Sequence, residues 1–388
     1  MANSLSPLNP ENWKPIVQDY LNNMLTATKI ANVRCEKYLR DGDQVNFPYV
    51  SDVRVQDYTP GTDVTIDAIN GTQDSLIVNQ SKVATFYVDP QEEKQARADY
   101  GMELAYQSAF QLKNNIDQAV LNTGIAAAQD TVAGGNLTAS TLFAKVSDVG
   151  AQLSRNNAAD GRMFGVLDPE NLALLEQTMV ANAFEMSDYT LKNGYKGMFK
   201  GFDIYVSNNL PYSVSLTVDT QPTATDTFTI YGVTWTVVAD GTAAAAGEIN
   251  RGANLADFQA IFVTAINGST PPSADDYIDV SVDNRRKYQN GQVAASAFAA
   301  NVTTITAFGK IGATETFTAA TNIFGTETSN LLFGRTGAIS MALQMQPSLY
   351  IKDEPKQLGK NYITHTLYGT KVFTRDALRL VNLSFNVQ

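Results

Sequence analysis

The sequence predicts an α+β fold in which one long helix follows an antiparallel β-ribbon and leads into a body of mixed helices and strands. Three observations predict it. Residues 42–88 alternate apolar and polar side chains, as half-buried strands do. Residues 89–123 keep helical spacing, with no proline between Pro90 and Pro169. From residue 124 onward, short amphipathic helices and short strands follow one another.

Residues 1–41 read as an arm. Pro7 and Pro10 keep its first residues extended. From Asn12, the residues Trp13, Ile16, Val17, Tyr20, Leu21, Met24 and Leu25 recur at steps of three and four, one apolar helix face with Pro15 in its first turn. That stripe needs a surface, in its own body or in a neighbouring subunit. In 42–88, Gly42-Asp43 marks a turn, Val45 with Phe47 and Val53 with Val55 alternate, and Thr59-Pro60-Gly61-Thr62 is a second turn. Val64 and Ile66 alternate, Asn70-Gly71 signals a two-residue hairpin, and Ser75 to Val88 returns as strand. A two-stranded ribbon with so few large side chains is marginal alone in water, so it requires a partner surface.

The long helix starts at Asp89-Pro90-Gln91-Glu92. Asp89 caps, Pro90 takes the first helical position, and Glu92 supplies the acid of a capping box. Tyr100, Leu104, Ala105, Leu112, Ile116, Ala119 and Val120 sustain the period over a rod of about 50 Å, with Gly101 as its weak point. Residues 124–211 predict an α/β unit: a helix over 139–156, a buried strand over 164–167, a helix from Pro169 capped by Asp168, and a strand over 202–206. Residues 212–333, richer in Thr, Ala, Asp and Gly, predict a separate inserted β-rich domain with Pro211 and Gly334 at its rim. It holds a hairpin over 227–238 about Tyr231-Gly232, a helix over 255–266, and strands over 278–282 and 302–307. Residues 334–388 predict a short helix, Gly337 to Met345, then strands over 349–352, 364–367 and 370–374 around Tyr368-Gly369.

Composition narrows the function. The 388 residues suffice for two or three packing units, and 44 % hydrophobic with 17 % charged residues points to a core rather than disorder. A net charge of -11 disfavours a tight grip on nucleic-acid phosphates by the whole chain. No apolar run approaches the roughly 20 residues that span a bilayer, so no membrane partner is expected. The first 25 residues do not read as a signal peptide, and synthesis in a reducing cytosol is expected. There is one cysteine and one histidine. A zinc site of the Cys/His kind needs three or four such ligands. Any Ser-His-Asp constellation would have to use His365.

The order of parts resembles the tailed-bacteriophage capsid fold named after the phage Hong Kong 97. The string Gly42-Asp43-Gln44-Val45-Asn46-Phe47-Pro48, followed by Val55-Gln56-Asp57-Tyr58, resembles the start of that family's extended loop. Ala342-Leu343-Gln344 and Leu367-Tyr368-Gly369-Thr370-Lys371-Val372 resemble its C-terminal stretch, and 227–235 an insertion seen in some members. The resemblance implies an N-arm (1–41), an extended loop (42–88) and a peripheral domain (89–123 with 351–388). It further implies an axial domain (124–211 with 334–350) and an inserted surface domain (212–333). It implies a major capsid protein, a structural component of the virion rather than an enzyme, without cofactor or metal. Its partners would be itself in hexamers and pentamers, a scaffolding protein, a portal and decoration proteins, around double-stranded DNA bound without sequence specificity. Some members cross-link through a loop lysine; Lys82, the only lysine in 42–88, sits near the ribbon base and is not expected to do so. No long charged helical prodomain is expected ahead of the arm; scaffolding would come from a separate protein or from a part already cleaved.

Charge suggests how copies meet. Residues 42–88 carry 2 basic and 6 acidic side chains, whereas 334–388 carry 7 basic and 3 acidic. The expected subunit interface joins Phe47, Val53, Val55 and Asp57 of one ribbon to Lys371, Arg375 and Arg379 of a neighbour, with apolar burial supplying most of the energy.

Other candidates have plainer readings. His365 is expected to be structural, and Cys35 a small buried apolar side chain. Asp275, Asp276, Asp279 and Asp283 miss the spacing of a calcium loop and read as a solvated acidic face. Arg285-Arg286-Lys287 reads as a solvated turn rather than a DNA contact. Two other classes share parts of the pattern. An encapsulin-like nanocompartment has the same fold but would carry protein cargo. A glycosidase would need a marked carboxylate pair, and none stands out.

Overall fold

The computed structural model describes residues 27–39, 42–50, 53–64, 66, 68–69, 71–89, 100–181, 198–270, 273, 276–353 and 359–387. The arm helix expected at 12–25, the turn residue Asn70, the helix start at 90–92 and Asp275 lie outside them. The chain divides into two compact units, Met1–Lys113 with Gly337–Ala377 and Asn114–Thr336 with Leu378–Gln388.

In the first unit, strands Ile339–Asp353, Lys360–Val372 and Gln80–Val88 form an antiparallel sheet in that order. Lys360–Val372 alternates buried and half-buried positions, so one sheet face is offered to a core. Val88, Leu349 and Tyr362 are buried there with Ala105, from the helix Tyr100–Ala127; the Phe86 and Tyr362 rings stack at 4.8 Å. Ahead of the sheet, Ala27–Ile30 and the 3-10 turn Arg34–Tyr38 hold Cys35 and Leu39 against Leu76, Val78 and Ala342. The expected long helix is thus present from Tyr100 and runs four residues past its expected end.

In the second unit, a ten-stranded mixed sheet runs through Ala294–Ala295, Val302–Phe308, Pro211–Thr217, Glu327–Arg335, Met163–Leu167, Phe202–Val206 and Met198–Phe199. Leu380–Val387 adds to Glu327–Arg335, and Asp130–Asn136 pairs parallel with Leu380–Val387. The helix Ala139–Arg155 buries Leu142, Val146, Val149 and Leu153, one stripe at helical spacing, and Thr138 caps it. Asp168 caps the helix Pro169–Ala181 as expected, accepting the Asn171 N–H at 2.9 Å, while the Tyr212 hydroxyl donates to its other oxygen. A second, four-stranded sheet contains the expected hairpin, Thr227–Ile230 and Val233–Val238, turning at Tyr231 (φ 53) and Gly232 (φ 71). Its core is aromatic: Phe228, Trp235, Phe258 and Phe262 are buried, the latter two from the helix Leu255–Asn267.

Several sequence expectations are corrected. Gly337 to Met345 is not a helix; Ile339–Asp353 is a long strand, because pairing with Lys360–Val372 overrides the helical preference of Met, Ala, Leu and Gln. Tyr368-Gly369 is no turn but lies inside one strand. Residues 278–281 form no strand, and Val282–Asn290 is a helix capped by Ser281. The 75–88 strand is interrupted at 78–79. The segment 212–333 does not stand apart: Pro211–Thr217 and Glu327–Arg335 are members of the same sheet as Met163–Leu167. Gly334 lies within a strand, where a Cβ would meet the Arg379 carbonyl at 2.5 Å, so it is a close-packing residue and not a rim.

Candidate assembly surface

The ribbon is built from Gln44–Val50 and Gly71–Ile77, antiparallel from the pair Gln44 with Ile77 out to the pair Val50 with Gly71. Gly71, expected in a hairpin turn with Asn70, lies instead in this ladder opposite Val50, and the connection between the two strands contains the described residues 53–64. Its turn is the other one expected: Gly61 has φ 89 and the Thr62 N–H donates to the Thr59 carbonyl at 3.1 Å. Along this connection Val53 (71 %), Val55 (95 %), Tyr58, Val64, Ile66 (92 %) and Ile69 are exposed. Six large apolar side chains on one excursion are an exposed patch of the kind that marks an interaction surface.

The ribbon base is held within its own chain. Leu76 and Val78 are buried in the cluster with Cys35, Leu39 and Ala342. The Val78 N–H donates to the Asp43 carbonyl at 2.8 Å. Backbone lies directly on backbone where the ribbon leaves the sheet: a Cβ on Gly369 would stand 2.4 Å from the Ile77 carbonyl oxygen. Nearby, burial raises the Glu36 carboxyl above its ordinary value, although the Leu343 N–H donates to it. Burial likewise raises the Cys35 thiol, consistent with a buried apolar role.

The candidate interface residues fall into two groups. Val53, Val55 and Asp57 are exposed on the connection. Phe47 is not available in the same way: it is half-buried, and its ring packs on Phe373 at 4.9 Å. Lys371 is exposed. Arg375 is engaged by its own ribbon, donating to the Val50 carbonyl at 2.6 Å with its guanidinium 5.6 Å from the Tyr49 ring centroid. Arg379 ends the 3-10 turn Ala377–Arg379 and is half-buried. The basic trio is therefore not three equivalent exposed cations. Sequence reasoning missed Asp74, whose carboxylate accepts the Thr374 N–H at 2.8 Å and hydroxyl at 3.0 Å. A lone acid in the middle of a strand was its signal.

Elsewhere the plain readings are met by specific partners. The ring of His365 hydrogen-bonds the Ser81 hydroxyl at 2.9 Å. Asp279 is paired with Arg285, whose guanidinium also donates to the Ala265 and Ile266 carbonyls at the end of the helix Leu255–Asn267. Arg285 is thus a helix cap rather than part of a solvated turn, while Arg286 pairs in solvent with Asp283. Among the described residues no group of three or more His, Cys, Asp or Glu could hold a metal. No described helix is long and apolar enough to cross a membrane.

No protein-family model and no curated protein matches the sequence. The structure does match. A solved structure from Mycobacterium phage Che8 is similar over 93 % of this chain and 91 % of that one, at 13 % identity and a TM-score of 0.55. This is the Hong Kong 97-like capsid fold. The asymmetric unit of the bacteriophage PhiM1 mature capsid is similar over 89 % of this chain and 82 % of that one, at 12 % identity and a TM-score of 0.48; the fold assignment rests on the first match.

Proposed function

We propose that this chain is the major capsid protein of a tailed bacteriophage, made in the host cytoplasm and assembled as hexamers and pentamers into the icosahedral shell around the genome. The observation that carries this reading is the apolar ribbon tip: Val55 and Ile66 are more than nine-tenths exposed on a chain of this fold. Exposing them in an isolated subunit is unfavourable; covering them with a second copy is not. The first unit supplies the ribbon and corresponds to the peripheral domain. Residues 124–211 correspond to the axial domain and the second sheet to an outer-surface elaboration, whereas 339–350, expected with the axial domain, pair with Lys360–Val372 in the first unit. The net charge of -11 suits a wall that contains DNA without adhering to it. Scaffolding, portal and decoration proteins are the further partners this role requires.

Negative-stain imaging of the purified chain, alone and with a scaffolding protein, tests the proposal. Closed shells are the expected result. A compact monomer at high concentration, with its ribbon tip sheltered intramolecularly, would overturn it. Particles filled with enzyme rather than DNA in infected cells would favour the nanocompartment instead.

A further inference from the structure

We propose that residues 373–375 form a clamp that fixes the direction in which the ribbon projects, and that the clamp thereby sets the curvature at which copies of this chain assemble. The curvature role rests on the shell reading above; the clamp itself does not.

Three successive residues touch the ribbon at two levels, Phe373 and Thr374 on one rung and Arg375 on the last. Phe373 packs its ring on Phe47 at 4.9 Å. Thr374 donates its N–H and hydroxyl to Asp74, the residue paired with Phe47 across the ladder. Arg375 reaches the far end of the paired section, donating to the Val50 carbonyl at 2.6 Å beside the Tyr49 ring. Gly369 fixes the root, where no side chain separates the two backbones. The ribbon is therefore supported at its base and again along its length. A lever held at two points has a defined direction; one held at its root alone does not.

The geometry gives the clamp leverage. At about 3.3 Å per residue, the paired section from Gln44 to Val50 is roughly 20 Å long, and the connection to the turn near Gly61 can add about 30 Å. A swing of about 10° at the root would displace the tip by about 9 Å, roughly twice the spacing between neighbouring strands. That is enough to move every apolar side chain of the tip off its partner surface. The contacts that prevent it are peripheral: Thr374 and Arg375 are exposed, while the buried Leu76 and Val78 hold the root without them. The clamp can therefore be removed without removing the core.

The test uses R375A and D74N in the full chain, with R375K as the conservative control. Hydrogen exchange is measured first, on unassembled protein at low concentration. We expect amides of Gln44–Val50 and Gly71–Ile77 to exchange at least about fivefold faster in R375A and D74N, with Lys360–Val372 unchanged and R375K intermediate. Particle diameters are then measured by electron microscopy. Both variants are expected to give a broader or shifted distribution than the unmodified chain. Unchanged ribbon exchange would overturn the clamp, and faster ribbon exchange with an unchanged diameter distribution would overturn its role in curvature. Failure of the unmodified chain to form shells would overturn the shell reading and the curvature role together, while the exchange data still decide on the clamp.

Discussion

Truncating Val55 and Ile66 together to alanine should weaken assembly without weakening the fold. Both side chains are almost wholly exposed in the subunit, at 95 % and 92 %, so removing their carbons opens no cavity. Folding stability should change by no more than about 0.5 kcal/mol. In the assembled state the same carbons would be covered. At about 0.8 kcal/mol per buried carbon, five carbons are worth about 4 kcal/mol at full burial and about 2 kcal/mol at half burial. The smaller figure weakens each ribbon contact about 30-fold. The assay pairs chemical denaturation of the dispersed subunit with the protein concentration at which light scattering first reports assembly. A raised threshold with an unchanged unfolding midpoint is expected. An unchanged threshold would refute the claim that the tip is buried between copies; a lowered midpoint would refute the claim that it is exposed within one.

Other changes probe the interior. Tyr288, buried and pushed up to about 12 by that burial, donates to the Ile230 carbonyl and accepts from the Trp235 indole N–H, both at 3.1 Å. Y288F leaves the buried Trp235 indole N–H without this acceptor and should cost about 1–3 kcal/mol in denaturation, whereas a cost under about 0.5 kcal/mol would contradict the hydrogen bonding described. Glu36 is raised by burial, so its ionised form is the disfavoured one in the fold and the wild type loses stability as pH rises through the raised value. E36Q should therefore melt higher than wild type at pH 7, with the difference vanishing below about pH 4.3; a difference that grows on acidification would reverse the sign. G369A places a methyl 2.4 Å from the Ile77 oxygen and 3.0 Å from the Val78 Cα, both backbone atoms, and should cost about 1–3 kcal/mol with faster exchange in Gly71–Ile77. A neutral G369A would contradict the close approach.

Local chemistry was legible wherever the deciding contacts are local. Asp168 as a cap, the turn at Thr59–Thr62, the hairpin about Tyr231-Gly232 and the stripe Leu142, Val146, Val149, Leu153 each depend on neighbours within a few residues. Most failures involve partners far along the chain; the missed helix Val282–Asn290, with its adjacent Ser281 cap, is the exception. Residues 339–345 carry helix-forming side chains, yet their partners are residues 367–372, and a strand results. Gly369 reads as a turn residue, but its lack of a side chain serves the approach of Ile77, a residue almost three hundred positions away. Within the candidate interface, the need of Val53 and Val55 for a partner surface was legible, although their alternation predicted a half-buried strand and both lie exposed outside any strand. The attachment of Phe47 and Arg375 to their own chain was not, because charge and hydropathy say what a side chain needs and not which copy supplies it.

The continuity of the large sheet bears on how this chain can be engineered. Excising 212–333 as though it were a cassette would take out nearly all of Pro211–Thr217 and most of Glu327–Arg335, stripping hydrogen-bonded neighbours from both Met163–Leu167 and Leu380–Val387. A foreign epitope is better spliced between Gly241 and Thr242, in an exposed bend that follows Val233–Val238, where added length lengthens a loop and leaves every ladder closed.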